Sequence, residues 1–310
     1  MKIFYITSKL NFRTSGGSIE EVDLIIKTLQ EAGNEVTAVT AFSAANDIPE
    51  PLPYKVIEEN ITSRGLLGIQ RGIFNLLKKY SSEADFFHVD GHMFLYGAGL
   101  YRMLGGRVPV AAMFNQFLTC WPDTAPNLFV RHENLFNRYK KKIRLYVEKY
   151  IGIPIANKVD FFSFVSPSLK VMYEKFGIKK DDNNFVIGDL IDHKKIMQEN
   201  GIAEDFYCKR NKKKGPFTIF YSSRMVPGKG FDLLLAGFSK LKNKDNFRLV
   251  LGGNGPEGHL IRKMVRDLNL ESYVEMPGWM TKEELHRRFG EQADIFVQVG
   301  WRPEGTSVSL

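Results

Sequence analysis

Short apolar runs alternate with amphipathic helix patterns along the 310 residues of this chain. Runs of this length, rich in Val, Ile and Phe, are typical of strands buried in a parallel sheet. They occur at residues 3–7, 35–40, 85–89, 108–114, 160–165 and 184–188, and again at 217–222, 247–251, 272–276 and 294–299. The charged segment 209–216, KRNKKKGP, separates the two series and has the composition of a solvated linker. The alternation predicts an α/β fold with a mostly parallel sheet in each of two Rossmann-like domains, residues 1–205 and 206–310.

Local helix signals agree with this pattern. Ser18 and Glu21 have the spacing of a capping box at the start of the first helix, and Gly33 stands where a C-cap glycine belongs. Thr281 and Glu284 have the same spacing at the start of a later helix. Further helices are expected at 134–150, 230–241 and 257–268.

The chain carries 43 Lys and Arg against 35 Asp and Glu, a net charge of +8. A basic surface attracts nucleic acid, anionic lipid or a phosphate-bearing substrate, and composition does not choose among them. The two cysteines, Cys120 and Cys208, lie in no zinc or C-x-x-C spacing, which favours a reducing compartment. No apolar run approaches the roughly 20 residues needed to cross a bilayer. We therefore expect a cytoplasmic protein.

Two cations follow the strand at 217–222. Arg224 and Lys229 lie in the segment SSRMVPGKG, a Pro/Gly loop that leads into a helix. A helix N-terminus favours an anion and two cations add fixed charge, so the segment suits a diphosphate without a metal. On spacing alone, a solvated surface pair explains these two residues equally well.

Two further segments have small residues where an anion could approach the backbone. Glu304 precedes Gly305, Thr306 and Ser307, whose N–H groups could form an anion nest beside a carboxylate that binds sugar hydroxyls. In isolation, an ordinary first-turn helix Glu is the simpler interpretation. Near the N-terminus, Gly16 and Gly17 precede a helix, where a phosphate could lie close to the backbone. A plain glycine-containing connection is equally common.

The histidines and acidic residues give little support to metal chemistry. His88 and His92 flank Asp90 at a strand end, but no further ligand is evident, and His88 is expected to be a core histidine. The chain contains no H-E-x-x-H, no D-x-D pair and no G-x-S-x-G elbow. Metal hydrolysis and serine acyl transfer are therefore poorly supported, and we expect neither a metal nor a cofactor.

The helix expected at 134–150 combines cations with apolar residues. It could lie against an anionic membrane surface, although a helix with one solvated face is the favoured interpretation. Its aromatic residues do not interleave with the cations as they would in a nucleic-acid platform, so no nucleic-acid partner is expected. The cations are Arg138, Lys140, Lys141, Lys142, Arg144 and Lys149.

Together these segments resemble glycosyltransferase family 4, the retaining nucleotide-sugar transferases of the GT-B fold. The resemblance runs along the whole chain and is strongest from residue 217. The family's G-R-x-x-x-x-K-G-x-D-x-L-L-x-A-F reads here as S-R-M-V-P-G-K-G-F-D-L-L-L-A-G-F, with Ser223 in place of the first glycine. The resemblance implies that Arg224 and Lys229 bind the donor diphosphate and that Glu304 orients sugar hydroxyls. Further donor contacts are implied at Gly253, Gly255, Val274, Gly278, Thr306 and Ser307.

In the first domain, the resemblance implies that Gly16 and Gly17 contact the diphosphate. Asn115 stands where the family often has a histidine that contacts the transferred sugar; an amide could still hydrogen-bond a hydroxyl. Ser166 matches a serine at a strand end before a helix. Loops 90–97 and 115–127 are candidate walls of an acceptor site.

The resemblance implies two domains that face each other across a cleft and a metal-independent transfer from a nucleotide-diphosphate sugar, a UDP-sugar by default. The acceptor would be a glycan or a lipid-linked sugar, with peripheral contact at the inner membrane face. The family's second signature glutamate would fall past Leu310, so we expect a fragment with an incomplete second domain and exposed apolar surface around 217–222 and 294–299. A nucleotide-sugar epimerase and a non-catalytic nucleotide-sugar or glycan-binding remnant remain as alternatives.

Overall fold

The computed structural model describes residues 1–13, 17–63, 65–91, 93–115, 135–199, 201–206 and 215–300. Within them the chain forms two separate parallel sheets, one of seven strands and one of four. The α/β fold predicted from the alternation is therefore confirmed. The domain boundary near residue 205 stays a prediction, since residues 207–214 lie outside the described part.

The seven-stranded sheet occupies the first half of the chain. Its order is β3-β2-β1-β4-β5-β6-β7, and every pair is parallel. The order reverses at β1, so the edge beside β1 and β4 is the topological switch point where α/β sheets bind ligands. The strands are β1 (Lys2–Thr7), β2 (Glu35–Thr40), β3 (Lys55–Glu58), β4 (Phe86–Asp90), β5 (Val110–Phe114), β6 (Phe161–Phe164) and β7 (Asn184–Val186).

Helices connect these strands as a parallel sheet requires. Proline at the first helical position and Ser166 as N-cap start one of them, and the Ser166 hydroxyl accepts a hydrogen bond from the Leu169 N–H. The helices are α1 (Gly17–Glu31), α2 (Leu66–Tyr80), α3 (Leu95–Met103), α4 (Leu135–Val147), α5 (Ile153–Ala156), α6 (Pro167–Phe176) and α7 (His193–Glu199). A π-helical turn, Glu148–Gly152, joins α4 to α5.

The second sheet repeats this construction with the order β10-β9-β8-β11, again with every pair parallel. The Thr281 hydroxyl caps its last described helix by accepting a hydrogen bond from the Glu284 N–H, as the spacing predicts. The elements are β8 (Phe217–Ser222), α8 (Phe231–Ser239), β9 (Phe247–Gly252), α9 (Gly258–Asp267), β10 (Val274–Gly278), α10 (Lys282–Gln292) and β11 (Ile295–Phe296).

Both faces of the first sheet are buried, because successive side chains of a strand point to opposite faces. Phe4 and Ile6 of β1 belong to one core cluster, while Ile3 and Tyr5 pack on the other face in the cluster that includes Ile19 of α1. A third cluster, centred on Tyr221 and Leu251, forms the core of the second sheet.

Three sequence expectations need correction. Helix α1 begins at Gly17, before Ser18, so the Ser18–Glu21 spacing does not act as a capping box; Glu21 is buried instead. The run at 294–299 pairs as a strand only at Ile295–Phe296. The expected exposure around 217–222 is limited to Phe217, because the next five residues are buried.

Glycine lets α3 approach its neighbours closely. A Cβ atom on Gly99 would overlap the carbonyl oxygen of Ile155 in α5, and one on Gly97 would lie 2.5 Å from the carbonyl oxygen of Gln70 in α2. Both obstacles are backbone atoms, which cannot rotate away as a side chain can.

We predict that Gly99→Ala destabilises the chain by roughly 1–3 kcal/mol, the usual cost of overpacking. The matched control is Gly237→Ala in α8, where a Cβ would meet nothing within 4 Å, so the alanine should be neutral or slightly stabilising. Thermal and urea unfolding of both variants measure the difference. Equal stability of the two variants would contradict the close packing of α3 on α5.

Candidate functional site

Three loops of the second sheet are bonded side by side at its carboxyl edge. The Ser223 N–H donates to the Gly252 carbonyl (3.2 Å), and the Met225 N–H donates to the Asn254 carbonyl (2.9 Å). The Gly253 N–H in turn donates to the Gly278 carbonyl (2.7 Å). These bonds join the loops that follow β8, β9 and β10 into one continuous surface.

Glycine is required where these loops touch. Gly253 has φ of 110°, and a Cβ there would overlap the Ser223 carbonyl oxygen. Gly255 has φ of 156°, and its Cβ would lie 2.5 Å from the Met225 carbonyl oxygen. Both predicted donor glycines therefore hold the β9 loop against the loop that carries Arg224 and Lys229.

Arg224 and Lys229 lie on the loop between β8 and α8. Arg224 is exposed and Lys229 is half-buried. The Tyr221 hydroxyl donates to the Lys229 carbonyl (2.5 Å), which ties the end of the loop back to β8. Gly230, at φ of 73°, then starts α8. The two cations thus stand at the carboxyl edge, beside a helix N-terminus whose N–H groups favour an anion.

The other predicted donor residues divide into four groups. Gly278 ends β10 at the carboxyl edge and adopts φ of 85°. Val274 begins the same strand, about 13 Å away at 3.3 Å per residue, and packs against the core. The structure does not bring it to the edge. Gly17 is the first residue of α1. Gly16, Glu304, Thr306 and Ser307 lie outside the described residues.

Asn115 directly follows β5 at the carboxyl edge of the first sheet. Its side-chain carbonyl oxygen is buried and has no hydrogen-bond partner among the described residues. An unpaired buried acceptor costs free energy, so this oxygen is available to a hydroxyl donor. Of the predicted acceptor loops, only residues 90, 91, 93–97 and 115 are described.

His88 is a core residue, as predicted. It stacks on the fully buried Tyr5, with 4.5 Å between the ring centroids, and burial lowers the pKa of His88 to about 4. Among the described residues, no group of three or more His, Cys, Asp and Glu side chains is placed to hold a metal ion.

Three acids that the sequence did not predict as a group, Glu21 of α1, Asp90 and Asp189, lie close enough to influence one another. Burial, and after it the neighbouring Asp189 carboxyl, which shares a hydrogen bond with Glu21, together raise the pKa of Glu21 from 4.5 to about 8. Asp90 accepts a hydrogen bond from the Thr7 hydroxyl (3.0 Å), and burial raises its pKa to about 6. One sequence signal could have revealed part of this group: the adjacent strands β1 and β4 end in the polar residues Thr7 and Asp90.

We predict that Glu21 makes stability depend on pH. The folded chain keeps this proton between pH 4.5 and about 8, where the unfolded chain releases it. Stability is therefore lost as the pH rises through that range. His88 and Asp90 also have shifted pKa values, so the contribution of Glu21 is isolated by comparing the wild-type chain with a variant that lacks only the Glu21 carboxyl.

Glu21→Gln should flatten that dependence, because an amide keeps the shape of the protonated acid and can donate to Asp189. Between pH 6.5 and 8, the wild-type chain should lose about 1 to 2 kcal/mol relative to the variant. Urea unfolding across this range measures the difference. Parallel profiles of the two proteins would show that Glu21 carries no shifted proton.

Comparison with known proteins finds a sequence match over the segment that contains the second sheet. Residues 204–310 match the sequence model of group 1 glycosyl transferases. No curated protein sequence matches the chain at a significant level.

No helix in the described part of the chain has both the length and the apolar character to span a membrane.

Solved structures show a similar fold over nearly the whole chain. Anabaena HepE in complex with UDP-glucose is 16% identical, with a TM-score of 0.62 over 98% of this chain and 75% of that one. A glycosyltransferase from Rickettsia africae is 17% identical, with a TM-score of 0.56 over 98% and 74%. The α,α-trehalose 6-phosphate synthase of Burkholderia multivorans is 14% identical, with a TM-score of 0.62 over 98% and 79%. The chain thus has the GT-B fold of these enzymes, and its residues 204–310 resemble group 1 glycosyl transferases in sequence.

Proposed function

We propose that this chain is a retaining, metal-independent glycosyltransferase that takes a sugar from a nucleotide-diphosphate sugar. The observation that carries the proposal is the position of Arg224 and Lys229. Both follow β8 at the carboxyl edge of the second sheet, on the loop that runs into α8. That edge is where parallel α/β sheets bind ligands, and a helix N-terminus beside two cations favours a diphosphate.

The two cations supply the chemistry that this reaction needs. Negative charge develops on the β-phosphate as the bond to the sugar breaks, and fixed cations stabilise that charge more in the transition state than in the ground state. The resemblance to family 4 implies attack on the same face of the sugar, assisted by the leaving phosphate. No nucleophilic side chain is then required.

We assign the sugar contacts to both halves of the chain. Asn115 would accept a hydrogen bond from a sugar hydroxyl through its unpaired oxygen. Glu304, together with the backbone of Thr306 and Ser307, would hold the sugar and diphosphate from the second domain. The cleft between the two domains would enclose the donor, and the first domain would bind a glycan or lipid-linked acceptor.

We propose that the nucleotide of the donor is UDP. HepE of Anabaena, which shares the fold, was solved in complex with UDP-glucose. The isolated Cys120 and Cys208 favour a reducing compartment, and we place the reaction in the cytoplasm.

The first test is nucleotide binding by calorimetry. Arg224→Ala and Lys229→Ala should each weaken UDP binding by roughly 10- to 100-fold, since each removes a charge-assisted contact to phosphate. Lys242→Ala is the matched control, because Lys242 is an exposed cation beyond the far end of α8. UDP affinity that is unchanged by both site variants, or equally weakened by the control, would refute the diphosphate site.

The second test separates the sugar from the nucleotide. Asn115→Ala should weaken binding of the UDP-sugar by roughly threefold to tenfold, the usual effect of one hydrogen bond, and should leave UDP affinity unchanged. The UDP-sugar used in this measurement is the one whose sugar the chain transfers when a panel of donors is assayed. An equal loss of affinity for UDP and the UDP-sugar would assign Asn115 to the nucleotide or to the fold instead.

A further inference from the structure

A cavity of about 470 Å³ lies beside β3, the edge strand of the seven-stranded sheet. This volume is in the range that small-molecule sites occupy. None of the described residues that we assign to the donor lines the cavity. Its lining combines four apolar side chains with one amide and one carboxylate. These are Ile48, Leu52, Tyr54 and Val56, together with Asn46 and Glu58.

The polar end of the cavity is held in a fixed geometry by Asn46. The amide oxygen of Asn46 accepts a hydrogen bond from the Leu10 N–H (2.9 Å), and its nitrogen donates to the Thr40 hydroxyl (3.0 Å). The same nitrogen donates to the carboxylate of Glu58 (2.6 Å). A carboxylate has about four acceptor positions on its two oxygens. Glu58 therefore keeps acceptor capacity for a ligand while Asn46 holds it in place.

The apolar end of the cavity is anchored on α1. Ile48, Leu52 and Val56 pack against the core cluster that includes Ile19 of that helix. The Tyr54 hydroxyl donates to the carboxylate of Asp23 (2.9 Å), also in α1, and this bond fixes the position of the ring. An aromatic ring and three aliphatic side chains thus share the cavity with one ordered carboxylate.

This lining selects the chemistry of the ligand. Glu58 disfavours an anion, and an acyl chain would cover the carboxylate without giving it a hydrogen-bond donor. No group of acids and histidines among the described residues is placed to hold a metal ion. A sugar residue has C–H groups on the faces of its ring and hydroxyl groups around its rim. It can therefore cover the apolar side chains and donate to Glu58 at the same time.

The cavity opens near the edge of the sheet that carries the switch point. Glu58 is the last residue of β3, so the polar end of the cavity lies at the carboxyl edge. The neighbouring loops are bonded together, because the Asp47 N–H donates to the Leu10 carbonyl (2.8 Å) and the Phe12 N–H donates to the Asp47 carbonyl (3.0 Å). The surface from the cavity to the loop that follows β1 is therefore continuous.

We propose that this cavity binds a sugar residue of a glycan acceptor, apart from the residue that receives the transferred sugar. The inference rests on the proposed function, in which the acceptor reaches the switch point beside β1. Strand β3 is two strands from β1, a distance of about 10 Å. One sugar ring does not span that distance, so the cavity would hold a neighbouring residue of the glycan. The chain should accordingly prefer an oligosaccharide to a single sugar.

The test is calorimetric binding of neutral trisaccharides to the full chain in the absence of nucleotide. The probes are maltotriose, cellotriose, mannotriose and triacetylchitotriose, each compared with its monosaccharide. At least one trisaccharide should bind, and more tightly than its monosaccharide. Glu58→Gln should weaken that binding by roughly threefold to tenfold, because a hydrogen bond to a charged acceptor becomes one to a neutral acceptor. Leu52→Trp should abolish it, because the indole would fill the cavity.

Matched controls make the same changes outside the cavity. Glu50→Gln removes an exposed carboxylate from the same connection between β2 and β3. Leu67→Trp adds an indole at a position in α2 that is 84% exposed. Both controls should bind the trisaccharide as the wild-type chain does. All four variants should keep the wild-type affinity for UDP, and Arg224→Ala should keep trisaccharide binding, which separates this inference from the diphosphate site.

Three results would overturn the inference. None of the four trisaccharides could bind to the chain, or the two cavity variants could bind them as tightly as the controls do. The amine putrescine could also bind more tightly than every trisaccharide and lose affinity in Glu58→Gln. The cavity would then be a site for an organic cation.

Discussion

The candidate site depends on the contact between the loops at the carboxyl edge of the second sheet. Backbone hydrogen bonds from Ser223 to Gly252, from Met225 to Asn254 and from Gly253 to Gly278 align three loops that are distant in sequence. The alignment is possible only because Gly253 and Gly255 present no Cβ to the neighbouring carbonyl oxygens. A parallel sheet places the loops on one edge, and the glycines bring them into contact. This arrangement determines where the loop that carries Arg224 and Lys229 lies.

Much of the fold could be predicted from local pattern. Buried strands such as β1 and β8 are short apolar runs, and Thr281 caps a helix where its spacing from Glu284 indicates. Arg224 and Lys229 could be singled out because they lie together on one short Pro/Gly segment between a strand and a helix. Helix α2 was missed although its buried residues recur with helical spacing, so the signal was present.

Other features depend on contacts that no local pattern carries. Glu21 has capping-box spacing, and only the packing of α1 shows its carboxyl buried against Asp189. Val274 and Gly278 belong to one short motif, but an extended strand separates its ends, so only the glycine reaches the edge. The sequence left α4 as either a helix with one solvated face or a helix against a membrane surface, and only the structure shows that Leu145 packs against the core of the first sheet.

The central claim is that a pyrophosphate lies against Arg224 and Lys229 at the start of α8. The position of UDP in a crystal of the full chain tests it most directly. The account predicts phosphate oxygens within hydrogen-bonding distance of the Arg224 guanidinium and the Lys229 ammonium, with Gly253 and Gly278 lining the same edge. A diphosphate bound elsewhere, with these two side chains directed into solvent, would contradict it.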